Sequence, residues 1–533
     1  MGPSVAKNLG KTQDTADMSN PWELLSSFSG SLRDPLIDLT SHQQLVGITN
    51  PDPVLSPASM SLATPMNPDQ VSLLEALLSL GQPPDLGPPP QCPPTTDLLS
   101  DTSAPAISNW SASDTKRQDD VTTREDEDPE GVVSVICRQL ALDKTTESNA
   151  LPFVLHSYAT WIRRMAFEPL RVTHIARDFV FSHFEDGGQS RWILSLIALI
   201  GSRIGSVEFV EGNHTSTLSA LQTAVRWRLG AVNSHDTYNR PNLVKALDSA
   251  VQTLIMHFFA SPISDVVTLR QEAAPIFRQL CADPSDAPIN LPSLLQHSLG
   301  CLRHYAHIDI LFSVVMDIPA LFRYDVSNPG SQPSSSHGAV SSIQKDSGLQ
   351  WLHGTPDPLI LLLAKVKLMR QDGSIPNEET IASLEQDVRD LQPFSGSSSE
   401  PFLMLMRCVV QECWRQVAFV YLYMALCGDP CDTPRVKKAV KQFMKLLNGT
   451  KPGRFPDEFL IMNLILIAPA TQRKRDREII RQRFLGIYNL GRIFCANNSI
   501  ICLIEDYWAR ADAEGRPTMW SDIAMSRKRI LGI

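Results

Sequence analysis

From Val132 onward, bulky apolar residues recur every third or fourth position, and the runs are broken by Gly, Pro or Asn. That spacing gathers the apolar residues on one face of an α-helix, whereas on a strand it would scatter them over both faces. Runs of alternating β-branched residues between paired turns are missing, so no sheet of any size is expected. The chain from residue 131 to 533 therefore reads as one large all-α body of many helices. The first helices are expected at 131–142, 152–167, 168–184, 190–205, 216–230, 242–259, 266–280 and 291–314. A second set is expected at 358–368, 377–390, 400–426, 433–447, 456–467, 471–484 and 498–510. Between the sets, a Ser-, Gly- and Pro-rich stretch at about 327–347 reads as an exposed loop, and 394–400 as a shorter break. No segment repeats at a fixed period, so a regular solenoid is not indicated.

The first 130 residues obey a different rule. They hold 17 of the 39 prolines together with long Ser, Thr, Asp and Gln stretches, and a run such as 82–94 can form neither ladder nor helix. A disordered N-terminal arm is expected over 1–130. Short apolar clusters flanked by acids punctuate it: Trp22-Glu23-Leu24-Leu25 with Phe28, Leu36-Ile37-Asp38-Leu39, Leu73-Leu74-Glu75-Ala76-Leu77-Leu78 and Asp97-Leu98-Leu99. Such clusters can fold into one or two amphipathic turns in a partner's groove. The arm closes on a solvated linker at 111–130, with eight acidic and three basic residues.

The chain carries 48 Lys and Arg against 57 Asp and Glu, a formal charge of −9, so it offers no general attraction to nucleic acid or anionic lipid. No charged start followed by an apolar run occurs within 1–40, so no secretory signal is expected. The longest apolar stretches, 192–200 and 459–468, are too short to span a bilayer and suit core helices, so no membrane partner is expected. The ten cysteines show no C-x-x-C pair and lie mostly in apolar segments, as reduced thiols do in a cytosolic or nuclear protein. The glycosylation triplets at Asn213, Asn448 and Asn497 carry no weight in that setting.

The chemical motifs that can be picked out are incomplete. Gly10-Lys11-Thr12 resembles the end of a phosphate loop, but Val5 stands where the first glycine is needed. His304 and His307, with Asp309 nearby, share a helix face at metal-ligand spacing, but no Glu or Cys completes the set. The segment reads better as a partly buried aromatic-rich helix. His183 and Glu185 mimic the H-x-E of zinc deaminases without the required P-C-x-x-C. Cys427 and Cys431 flank Gly428 and Pro430, as structural thiols at a helix end would. The segment 472–483, QRKRDREIIRQR, has six basic and two acidic residues and could serve nuclear import or touch phosphates. Asp476 and Glu478, spaced to pair with Arg473, Lys474 and Arg481, favour a solvated helix face instead. No serine elbow or paired-carboxylate setting appears, so no catalytic, cofactor-binding or metal-binding residue is assigned and no enzyme is expected.

The C-terminal third carries a longer pattern. It runs through Glu412-Cys413-Trp414-Arg415, Tyr421-Leu422-Tyr423-Met424-Ala425 with Cys427-Gly428, Arg435-Val436, Val440-Lys441-Gln442-Phe443 and Lys451-Pro452-Gly453-Arg454-Phe455-Pro456-Asp457. It continues through Phe459-Leu460, Ala468-Pro469-Ala470, Arg475-Asp476-Arg477, Ile480-Arg481, Trp508, Gly515-Arg516-Pro517 and Trp520-Ser521-Asp522. In order and spacing this resembles the fungal-specific transcription factor domain, in the version common among basidiomycete zinc-cluster proteins. The resemblance implies an all-α regulatory domain acting in the nucleus on RNA polymerase II genes, with coactivators or a homo- or heterodimer partner. It also implies an N-terminal six-cysteine cluster that binds two zinc ions and reads DNA. Here Cys92 is the only cysteine in the first 130 residues, so no zinc ligand carries over and no cofactor is expected from this sequence. Either an upstream segment supplies the cluster, or the chain is a cluster-free relative that reaches DNA only indirectly. Trp414, Arg415, Arg454, Asp457, Arg477, Trp508 and Trp520 belong to the resembling run and are read as determinants of the fold. A helical scaffold or adaptor with no part in transcription is the alternative.

Overall fold

The computed structural model describes residues 150–205, 215–233, 239–327, 348–391, 401–489 and 495–533. All of them lie in the unit that spans Pro65–Ile533. The arm expected at 1–130 with its apolar clusters, the helix at 131–142, the loop from residue 328 to 347 and the break at 394–400 lie outside the described residues.

Eighteen α-helices make up most of what is described: 78% of these residues are helical and 1% are strand, so the fold class is all-α. The first set is α1 (Ala150–Met165), α2 (Pro169–Glu185), α3 (Gly188–Gly205), α4 (Thr215–Asn233), α5 (Arg240–Ala260) and α6 (Ile263–Leu280). Then follow β1 (Ile289–Asn290), α7 (Leu291–Leu295), α8 (Gly300–Val315), β2 (Tyr324–Asp325), α9 (Leu349–His353), α10 (Asp357–Gln371) and α11 (Glu378–Arg389). The last set is α12 (Pro401–Val420), α13 (Pro434–Asn448), α14 (Arg454–Asp457), α15 (Ile461–Ile467), α16 (Lys474–Asn489), α17 (Cys495–Glu514) and α18 (Ser521–Ile530).

Local sequence explains many of these starts. Proline occupies the first helical turn of α2, α5, α7, α10 and α13, where its fixed φ suits the helix and its missing N–H costs nothing. Asn290 and Asn377 cap α7 and α11 by accepting from the N–H groups of Ser293 and Thr380 at 2.9 and 2.8 Å. The expected 291–314 helix is interrupted after α7, where the His297 ring accepts from the N–H of Leu299 at 3.0 Å and α8 begins afresh. The expected 456–467 helix likewise divides into α14 and α15, because the backbone turns over residues 458–460 and leaves the helical region at Leu460 (φ −100, ψ 1). The expected 400–426 helix is continuous, but its last six residues, Tyr421–Leu426, widen to π-helical winding. Two helices had no sequence signal: α9 is five residues long, shorter than one apolar period repeated, and α18 is dominated by polar residues. The one pairing of strands among the described residues is the two-residue parallel bridge of β1 with β2.

The helices share one apolar core that runs from Val154 to Ile523. At one end α1 packs on α2 and α3; α5 lies among α4, α6 and α8, and α17 returns from the C-terminal set to lie against α5. α12 packs on α13 and α15. α5 is long and apolar enough to cross a bilayer by composition, but 67% of its apolar window is buried in this body, as in a core helix.

Two glycines of α3 let it approach α1 closely. A Cβ at Gly201 would stand 2.7 Å from Cγ of Trp161, and one at Gly205 would stand 2.6 Å from the Thr160 carbonyl oxygen. Gly201→Ala should therefore lower stability by about 1–3 kcal/mol through overpacking, despite the better helix propensity of alanine. Gly230→Ala, at an exposed α4 position with open space around it, should instead raise stability by up to about 1 kcal/mol. Urea unfolding of the two variants beside the parent measures both signs.

Candidate functional site

Every residue of α8 from Cys301 to Val315 except Arg303 is buried, so α8 is buried around its whole circumference. Such a helix has no solvent face, and each polar group it carries needs an internal partner. Asp309 has a full set. Its carboxylate accepts from Arg270 Nη1 at 3.1 Å, from the Leu321 N–H at 3.1 Å and from the Tyr324 hydroxyl at 2.9 Å. Tyr305 in turn donates to the Arg270 carbonyl at 2.5 Å. Asp309 thus faces away from His304 and His307, and the third member of that group comes from elsewhere in the chain.

That third member is His353, at the end of α9. Its Nε2 lies 2.8 Å from His304 Nε2, and its ring centroid lies 5.4 Å from that of His307. The backbone explains how it arrives. The N–H groups of Phe167 and Glu168 donate to the carbonyls of Leu352 and Trp351 at 3.1 and 2.9 Å, pinning α9 to the junction of α1 and α2. Gly354 then ends α9 with φ +68, a left-handed conformation that glycine adopts without strain. Burial pushes His353 down to about 4 and His304 and His307 well below the usual imidazole range, so the trio is neutral at pH 7. A neutral pair lets one of His304 and His353 donate and the other accept.

The trio forms one wall of an apolar cavity of about 160 Å³. Met165 of α1, Phe258 and Phe259 of α5, Leu311 and Phe312 of α8, Trp414 of α12 and Ile465 of α15 complete much of the lining. The charged groups on the wall, Arg164 and Glu458, pair with each other at 2.7 Å and are both buried. Arg454 braces this corner by donating to the carbonyls of Arg163 and Arg164. His307 differs from its neighbours: neither ring nitrogen has a hydrogen-bond partner among the described residues, although the side chain is buried. The indole N–H of Trp414 is in the same position.

The residues singled out from the sequence fall into three groups. Trp414 lines the cavity, and Arg454 braces it. Arg415 holds Glu412 and the Leu391 carbonyl, and Trp508 Nε1 donates to the Ala468 carbonyl at 2.9 Å beneath Arg477, which also binds Asp512 at 2.7 Å. Trp520 stacks edge-on against Tyr421 and donates to Asp317 at 3.3 Å. Asp457 accepts from Arg483 at 2.7 Å in a buried pair that also engages the carbonyls of Leu447 and Thr450. Arg483 and Arg477 of the basic segment therefore point into structure, and Arg481 pairs with Glu505 at 2.9 Å, while Arg473, Lys474 and Arg475 are exposed. Cys431 is buried and its sulfur accepts from the Thr518 N–H at 3.2 Å, and burial raises the thiols of Cys427 and Cys431 above their ordinary range. His183 bonds the Phe179 carbonyl through Nδ1 at 3.0 Å inside α2. Sequence reasoning missed His353, because a histidine about fifty residues from its partners carries no spacing signal.

The chain was then compared with known proteins. Residues 297–531 match the fungal specific transcription factor domain. The resembling run from Glu412 to Asp522 falls wholly within this match. No curated protein and no solved structure matches the chain. The matched segment supplies His304, His307, His353 and Trp414 to the cavity, and α1, α5 and α6, upstream of the match, supply further lining residues. The match of this segment to the domain family points to a transcription regulator and away from an enzyme.

Two measurements test this site. Arg483→Met leaves Asp457 buried without its partner and should cost about 3–5 kcal/mol in urea unfolding, whereas Lys474→Ala, on the exposed face, should stay within about 0.5 kcal/mol. The imidazole of His353 is held below its unfolded value of about 6.5, so the folded state binds fewer protons. Its contribution is complete above pH 6.5 and is lost as the pH falls toward about 4. Acidification from pH 7.5 to 5.0 should cost the parent on the order of 2 kcal/mol more than it costs His353→Gln, read from urea midpoints at the two pH values. Asp248, half-buried and pushed up to about 6 by desolvation, works in the opposite direction but equally in both proteins.

Proposed function

We propose that this protein is a nuclear regulator of RNA polymerase II genes that works through protein contacts. The match of residues 297–531 to the fungal specific transcription factor domain carries the reading. Coactivators would engage the acid-flanked apolar clusters of residues 1–130, which the helical body presents or masks. The acidic balance of the chain gives no general affinity for DNA, so a homo- or heterodimer partner, or a segment outside this sequence, supplies that contact.

The test fuses the chain to a heterologous DNA-binding domain upstream of a reporter. The full chain should activate the reporter several-fold, and removal of residues 1–130 should abolish the activation. Unchanged activation after the deletion would take that role from the arm. A silent reporter together with steady cytoplasmic localisation would instead support a helical scaffold or adaptor.

A further inference from the structure

We propose that the cavity beside His304, His307 and His353 binds a compact, uncharged, ring-containing small molecule with one hydroxyl or carbonyl group, which hydrogen-bonds to His307. This deepens the regulatory reading by giving the helical body an effector to sense, although binding itself does not depend on that reading. Size is the first argument. The cavity measures about 160 Å³. An apolar protein cavity of about 150 Å³ is large enough for benzene. The lining suits a ring, with aromatic faces from Phe258, Phe259, Phe312 and Phe459 and branched aliphatic side chains between them.

The second argument is the polar group that the fold leaves over. Buried side-chain nitrogens nearly always find a partner, and one without a partner costs about 1–3 kcal/mol. His304 and His353 satisfy each other, but His307, 2% exposed, has two ring nitrogens with no partner among the described residues. Because burial keeps it neutral, His307 offers one donor and one acceptor. A single hydroxyl can accept from the one and donate to the other, and a carbonyl can use the donor alone. The Trp414 indole N–H supplies a further unpartnered donor on the same wall.

The third argument concerns charge. Arg164 and Glu458 neutralise each other at 2.7 Å, and the imidazoles are uncharged, so neither an anion nor a cation gains from entering. A metal ion does not fit either. Two nitrogens about 2.0–2.1 Å from a tetrahedral ion stand roughly 3.3 Å apart, whereas those of His304 and His353 are 2.8 Å apart. Among the described residues no group of His, Cys, Asp or Glu is arranged to hold a metal.

The experiment titrates the purified full chain with p-cresol and with toluene, two probes of the same shape that differ by one hydroxyl, followed by calorimetry or by ligand-observed NMR. A cavity with no partner for the hydroxyl would favour toluene, because p-cresol must leave its hydration behind. The parent protein should bind p-cresol about tenfold more tightly than toluene. His307→Leu should still bind toluene and lose the preference, and Leu311→Phe, which fills the cavity, should weaken both probes at least tenfold. Absence of binding by either probe, a parent preference for toluene, or a p-cresol preference that survives His307→Leu would each overturn the proposal. Should a variant fail to fold, the comparison of the two probes on the parent still decides. The titrations involve no DNA, coactivator or reporter, so a silent reporter leaves a positive titration standing and a failed titration leaves a reporter result standing.

Discussion

Four arginines of this body are taken out of water together with their carboxylates: Arg164 with Glu458, Arg270 with Asp309, Arg407 with Glu168 and Arg483 with Asp457, at 2.7–3.1 Å. Stripping water from such ions costs several kcal/mol each, and their attraction repays it only when geometry and further hydrogen bonds are good. The arrangement is therefore demanding: a helix displaced by an ångström or two would leave a buried charge alone. Two of the four pairs, Arg164–Glu458 and Arg407–Glu168, tie α1 and the start of α2 to the C-terminal set. Edge-on contacts of Phe167 with Phe455 and Phe459, which stack on each other, fill the space beside them.

The same joint positions the cavity. Arg164 and Glu458 form part of its wall, Arg454 fixes the end of α1, and the backbone bonds of Phe167 and Glu168 to α9 bring His353 against α8. The cavity is thus bounded by elements from both sides of residue 297, where the family match begins. A molecule bound there touches both, and by mass action it stabilises the joint as a whole. α8 carries the polar consequences of being buried on every side: Asp309 is saturated, His304 has one partner, and His307 has none among the described residues.

The basic segment shows how far linear charge can mislead. Six cations in twelve residues look like an address or a phosphate patch. Folded, Arg483 is a core residue, Arg477 lies over Trp508 and Arg481 meets Glu505, leaving Arg473, Lys474 and Arg475 as an ordinary solvated face. Aliphatic stems and a fork of donors let arginine serve as internal mortar, and only its neighbours in space decide which use it has.

The sequence alone determined the helical class, because the spacing of apolar residues is a local property that each helix displays on its own. It determined several helix starts, through prolines and Asn caps that act within one turn. The resembling run from Glu412 to Asp522, inside the matched segment, was legible for a similar reason, since it is an ordered series of short local patterns. Tertiary structure alone decided that α9 exists, that His353 rather than Asp309 joins His304 and His307, and that a cavity remains among them. Each of these depends on contacts between residues tens to hundreds of positions apart, such as Arg454 with the Arg163 carbonyl, whose partners are set by packing and desolvation and leave no period or spacing along the chain.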